Sequence, residues 1–199
     1  MGIRQAAWVP EDVEQDYDDA AALAARWIRG RALEERASAV LVTNVRDAAS
    51  GVPALRGFEV TSPQSRSRPA SGGPVLAYVP SLESLVYAGE LARGSSLVVV
   101  EGFNFSVRGW AREYGALNLF TEQEEPGVQD KRWSDALERL AFHRNNGYGD
   151  TLGKRTARRV VHDLRTAGLL RSDELVSAMA AKGASVRALK NLQRIVDGA

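Results

Sequence analysis

The stretch from Val75 to Phe120 constrains the fold most, because its hydrophobic period changes repeatedly within a short length of chain. VLAYVP (75–80) is a short apolar run, and LESLVYAGELAR (82–93) repeats apolar residues every three to four positions. SLVVVE (96–101) is apolar almost throughout, FSVRGWAREY (105–114) is helical in period again, and ALNLF (116–120) is a third run. Short continuous apolar runs suit strands buried on both faces, and parallel strands must be joined by crossovers, which are right-handed. Ser81 stands where it can cap a helix, while Gly94 and Gly115 stand where helices stop. The pattern predicts an α/β fold: a small Rossmann-like, mostly parallel sheet of about four to five strands.

Upstream, Val13, Tyr17, Ala20, Ala24 and Trp27 recur at helical spacing, predicting an N-terminal helix over 10–36. Glu11, Asp12, Glu14 and Asp16 crowd its first turns, where they complement the helix dipole, and Gly30 is expected to interrupt or end it. SAVLVTNV (38–45) reads as a buried strand and FEVTS (58–62) as a weaker one. PQSRSRPASGGP (63–74) has no apolar periodicity and is expected to be a loop, either a plain connection or a lid or basic finger carrying Arg66 and Arg68.

TEQEEPGVQD (121–130) ends the alternation with acids and a Pro-Gly turn signal, so a boundary is placed there. Beyond it only helices are predicted, over 131–144, 154–167, 172–182 and 185–197, with Ser172 and Ser185 as N-caps and Gly168, Gly183 and Gly198 at C-terminal positions. The chain is thus expected to comprise an α/β domain over 1–130 and an all-helical region over 131–199, which could pack as one unit.

With no cysteine, disulfides, thiolate metal sites and cysteine nucleophiles are excluded. No basic-flanked apolar leader and no run of about 18 apolar residues is present, so an unexported, cytoplasmic protein without a membrane partner is expected. The net charge of +1 hides an asymmetry: residues 1–130 carry −6 and residues 131–199 carry +7. Such a division suggests an anionic partner for the basic half or docking of the halves on each other.

Ligands of open parallel sheets bind outside the carboxyl ends of the strands, which draws attention to Thr43, Asn44, Ser62, Ser81, Glu101 and Asn104. Glu101, closing LVVV, could hold a metal or a ribose hydroxyl, act as a base, or simply bond a loop. No G-x-G-x-x-G follows any strand, so no dinucleotide cofactor is implied. GYGDTLGKR (147–155) has elements of a phosphate loop but is one residue short, has Arg155 in place of Ser or Thr, and follows a helix.

What remains there is a glycine turn feeding a helix, whose backbone N–H groups with Lys154 and Arg155 would favour an anion. Asn145, Asn146 and Asp150 add polar groups, although Asp150 or Thr151 could equally cap the helix. The helix then carries Arg155, Arg158, Arg159, His162 and Arg165 at three- to four-residue steps, opposed by one acid, Asp163. His143 and His162, the two histidines, could act as acid and base or join Asp150 at a metal, but have no recognised ligand spacing. The last two helices resemble a helix-turn-helix in outline, with Ala178, Met179, Leu189 and Leu192 suited to packing and Arg187, Lys190, Asn191 and Arg194 along the second helix. Lys182 and Met179 depart from that pattern, and a plain helical hairpin fits as well.

Three readings follow. The first is a non-enzymatic nucleic-acid-binding protein that uses Lys154, Arg155, Arg158, Arg159, Arg165, Arg187, Lys190 and Arg194. The second is a small-ligand sensor or enzyme with a crevice formed by Asn44, Glu101, Asn104, Asn145, Asn146 and Asp150. The third is a protein-interaction module whose basic half docks on acidic surfaces.

Overall fold

A computed structural model describes residues 2–11, 16–66, 68–69 and 72–198. The chain forms two compact units, one comprising Met1–Phe105 with Tyr114–Glu125 and the other Ser106–Glu113 with Pro126–Ala199.

The first unit is built on a mostly parallel sheet. Its strands are β1 (Gln5–Val9), β2 (Val40–Val42), β3 (Glu59–Thr61), β4 (Val75–Tyr78), β5 (Ser96–Val100), β6 (Leu117–Asn118) and β7 (Gln123–Glu124), in the order β3-β2-β4-β5-β1-β6-β7. Only β7 runs antiparallel to its neighbour. The mixed α/β class is as expected, but the sheet has seven strands among the described residues rather than four to five. β1 and the two-residue β7 are the additions. QAAWV carries no β-branched run and two alanines, so its own β-propensity is weak. It is a strand because β5 and β6 pair it on both sides, with Ala7 opposite Val98 and Leu117.

One face of the sheet is covered by α1 (Tyr17–Glu35). Its Ala20, Ala21, Ala24, Ala25 and Ile28 meet Ala7, Val9, Leu41, Leu76, Val98 and Val100 in a single buried cluster. Small residues on the helix let its backbone lie close to the sheet, so the apolar side chains of the strands fill the remaining space. Helix α1 starts later than expected, with Asp16 capping the backbone N–H of Asp18. Asp12, Val13 and Glu14 lie outside the described residues. Gly30 neither interrupts nor ends the helix, which runs on to Arg36 in a left-handed C-cap, φ 52°. Helix α2 (Leu82–Leu91) is capped by Ser81 as expected. The 63–74 segment forms no helix or strand among its described residues; Ser67, Ala70 and Ser71 lie outside them. Arg68 is stacked on the Tyr87 ring, 5.6 Å from its centroid, and reaches Glu90 at 3.9 Å, which ties part of this connection to α2.

The second unit contains α3 (Arg108–Tyr114, as far as Glu113), α4 (Lys131–His143), α5 (Thr151–Thr166), α6 (Ser172–Ala181) and α7 (Val186–Asp197). Its core joins Trp133, Leu137 and Leu140 with Val160, Val161, Leu164, Leu175, Met179, Leu189 and Leu192, all nearly inaccessible to solvent. Gly109 permits α3 to lie against α6, because a Cβ there would stand 1.8 Å from the Glu174 carbonyl oxygen. Ion pairs from Arg112 to Glu174 and from Lys182 to Glu113, 2.7 Å, flank that approach. Ser185 caps α7, whereas α6 is preceded by Arg171 at the cap position and Ser172 is its first residue. No helix of the described residues is long and apolar enough to cross a membrane.

Candidate anion-binding groove

At the carboxyl edge of the sheet the connections leaving β2 and β4 lead away from each other, and such a point is where parallel sheets usually hold ligands. Between β2 and β4 the position is filled by Asn44. Its Nδ2 donates to the Val79 carbonyl at 2.9 Å and its Oδ1 accepts from the Ser81 N–H at 2.7 Å. Val79 is held there at φ 46°, a conformation that a β-branched residue adopts only when its surroundings enforce it. At the carboxyl end of β5, Glu101 is 7% exposed and its Oε2 accepts from the Glu11 N–H, beyond the end of β1, at 3.2 Å. Asn44 and Glu101 therefore bond the sheet's own loops. Asn104 is exposed in the turn between Gly102 and Phe105.

In the helical unit, the stretch from His143 to Arg165 turns the chain from α4 into α5. A single 3-10 turn, Arg144–Asn146, is followed by Gly147 at φ 66° and Tyr148 at φ 50°, two consecutive left-handed residues. Gly147 takes this conformation without steric cost. Tyr148 is held in it by burial and by its hydroxyl, which donates to the Leu140 carbonyl at 2.9 Å. Burial pushes the Tyr148 phenol well above its usual range, with Arg144 opposing weakly. Asn191 of α7 donates to the Gly147 carbonyl at 2.7 Å and so fixes the turn against α7. Asp150 caps α5 by accepting from the Gly153 N–H. A carboxylate of the chain itself thus occupies the Gly153 amide, the capping role open to Asp150 from its position in the sequence. Asn145 and Asn146 are exposed in the 3-10 turn.

Between α5, α7 and this turn lies a groove of about 670 Å3. Lys154, Arg158, His162 and Arg165 line it from α5 and Arg194 from α7, with Asn191 also on the wall and, among the described residues, no Asp or Glu in the lining. All five basic residues are solvent-exposed. Among the described residues, Lys154, Arg158 and Arg194 take part in no ion pair, and Arg165 donates to the Val196 carbonyl at 3.1 Å. Asp163, the single acid within the basic stretch of α5, is directed to Arg139 of α4 at 3.6 Å.

The basic residues of α5 thus divide into two stripes. Positions 154, 158, 162 and 165 advance by four, four and three and keep to one line on a helix of about 3.6 residues per turn. Arg155 and Arg159 are each one residue, about 100°, further round and do not line the groove. Arg187 and Lys190 are exposed on α7 and also lie outside the lining. His162 lines the groove and His143 does not; the His143 ring stands edge-on to Phe142 at 5.1 Å. Among the described residues, no three His, Asp or Glu side chains are gathered as metal ligands. The periodicity of α5 was legible in the sequence; the roles of Tyr148 and Asn191 in shaping the groove were not, since one depends on the fold of the turn back onto Leu140 and the other on a partner 44 residues away.

Fold and groove define a parallel α/β sheet unit in one chain with a helical unit that carries a basic concavity. No family model matches the chain, and no curated protein or solved structure is detectably similar to it.

Proposed function

We propose that the helical unit binds the phosphate backbone of a nucleic-acid duplex without reading its sequence. The observation that carries this reading is the convergence of Lys154, Arg158, Arg165 and Arg194, with His162, on one concavity that has no Asp or Glu among the described residues of its lining. Cations held in a row track a phosphate backbone; from Lys154 to Arg165 the row extends about 16 Å at about 1.5 Å per residue, close to five base-pair rises.

Two further features favour backbone contact over base readout. The groove's amide side chain, Asn191, is committed to Gly147, and its one tyrosine, Tyr148, is 2% exposed, so neither is offered to a base edge or to an unstacked base. The helix-turn-helix outline of α6 and α7 is compatible with this, but Lys182 in its turn is engaged by Glu113. The crevice reading loses support, because Asn44, Glu101 and Asp150 are all bonded to the chain's own backbone.

Four phosphate contacts predict that the logarithm of duplex affinity falls with the logarithm of salt concentration at a slope of about −3.6. Fluorescence anisotropy with two unrelated duplexes, titrated between about 50 and 200 mM salt, measures it. A flat salt response, or strong preference for one duplex, would overturn the reading.

A further inference from the structure

The sheet unit holds a second concavity, of about 830 Å3, at the carboxyl ends of β2 and β3. The connection leaving β2 runs outward to β3, while that leaving β3 returns past β2 to β4, so the two connections run in opposite directions over this end of the sheet. Among the described residues, no side chain bridges these two connections as Asn44 bridges those of β2 and β4. Its floor is apolar, from Leu41, Leu55 and Val60. Its rim carries Arg46, Arg56 and Arg66, all exposed and, among the described residues, in no ion pair.

The rest of the lining narrows the ligand. Asp47 and Glu59 stand on the same rim as the three arginines and would repel a bare polyanion. They suit a ligand that presents hydroxyl or amino donors as well as an anionic group. Arginine forks match the geometry of phosphate. The segment that bears Arg56 is pinned from behind, because Arg29 donates to the Ala54 and Arg56 carbonyls and stacks on Phe58 at 4.8 Å. The β3 side is ordered by Ser62 and Ser65, each of which bonds the other's backbone or hydroxyl. The volume is within the range of pockets that enclose small organic ligands, about 300–1,000 Å3.

We propose that this pocket binds a phosphomonoester on a hydroxyl-bearing body, such as a nucleoside or sugar phosphate. Arg46, Arg56 and Arg66 hold the phosphate, Asp47 and Glu59 accept from the hydroxyls, and the apolar floor receives the ring. The site is independent of the basic groove of the helical unit in residues and in ligand.

Calorimetric titration of the full chain with AMP, ribose 5-phosphate, adenosine and inorganic phosphate tests the proposal. At least one of the two phosphomonoesters binds, and adenosine and inorganic phosphate bind at least about tenfold more weakly. Tighter binding by AMP identifies a nucleoside phosphate, and equal binding a sugar phosphate. Arg56→Ala and Arg66→Ala each weaken the phosphomonoester about tenfold, whereas Arg26→Ala on the exposed side of α1 does not. All three positions are exposed, and circular dichroism verifies that the variants remain folded. The proposal is overturned if neither phosphomonoester binds at about 1 mM, if inorganic phosphate binds as well as they do, or if affinity falls with Arg158→Ala instead of Arg56→Ala.

Discussion

The two units use the same kinds of side chain in opposite ways. In the sheet unit, Asn44 and Glu101 stand where a parallel sheet commonly receives its ligand, and both are occupied by the backbone of neighbouring loops. In the helical unit, Asn191 and Asp150 are likewise committed to backbone, but Lys154, Arg158 and Arg194 are left exposed and, among the described residues, in no ion pair. A polar residue at a favoured position is therefore poor evidence of a site until its hydrogen bonds are accounted for, because a part-buried amide or carboxylate must find partners in any case. Long cations differ: they keep their charge in water at little cost and need no partner within the chain.

The largest effect that would break this comparison is expected at Gly109. Even Ala at this position drives a Cβ into the Glu174 carbonyl, so Gly109→Ala should destabilise the helical unit by about 3 kcal/mol, read by urea unfolding followed at Trp133. An unchanged midpoint would mean that the approach of α3 to α6 is not needed. Next comes the groove itself. Arg158→Ala combined with Arg194→Ala should weaken duplex binding about a hundredfold at low salt, at about 1.4 kcal/mol for each charged contact, and reduce the salt slope by about 1.8.

Asn44→Ala sharpens the other half of the comparison. Loss of both its bonds should cost about 1–2 kcal/mol of stability, since the Val79 carbonyl and the Ser81 N–H lose their partner. A variant as stable as the parent would return Asn44 to the list of candidate ligand contacts. Tyr148→Phe should cost about 1 kcal/mol by removing the bond to Leu140. Because burial raises the Tyr148 pKa in the folded state, its contribution is complete below the ordinary tyrosine value near 10 and is lost as pH rises through the folded value. The parent should therefore lose stability above pH 10 more steeply than Tyr148→Phe; parallel curves in denaturant titrations would contradict the assignment. The smallest effect is expected from Arg155→Ala with Arg159→Ala, no more than about threefold on duplex affinity near 0.15 M salt, where charges beyond about 8 Å are largely screened. A loss as large as that of the Arg158 and Arg194 pair would show that the outer stripe, not the groove, makes the contact.

Much of the architecture was legible because period and burial coincide. β4 and β5 are continuous apolar runs and prove buried along nearly their whole length; α5 and α7 carry one apolar stripe each, and Ala157, Val160, Val161 and Leu164 of α5 are buried. β1 was not legible, because QAAWV earns its place through neighbours supplied by residues 96–100 and 117–118. Gly30 misled for a related reason: helix propensity is a weak local preference, and α1 is held by packing on the sheet.

The candidate site divides along the same line. The sequence alone determined that residues 131–199 are basic and helical, and that α5 carries cations at helical spacing opposed by a single acid. Tertiary structure decided which of those cations share a concavity, that Asp163 turns away to Arg139, and that Asp150 occupies the start of α5. Spacing along a helix fixes the angle at which each side chain leaves its own axis, whereas shared surface depends on how a second axis crosses the first. That crossing was set by Tyr148, Asn191 and the buried faces of α5 and α7.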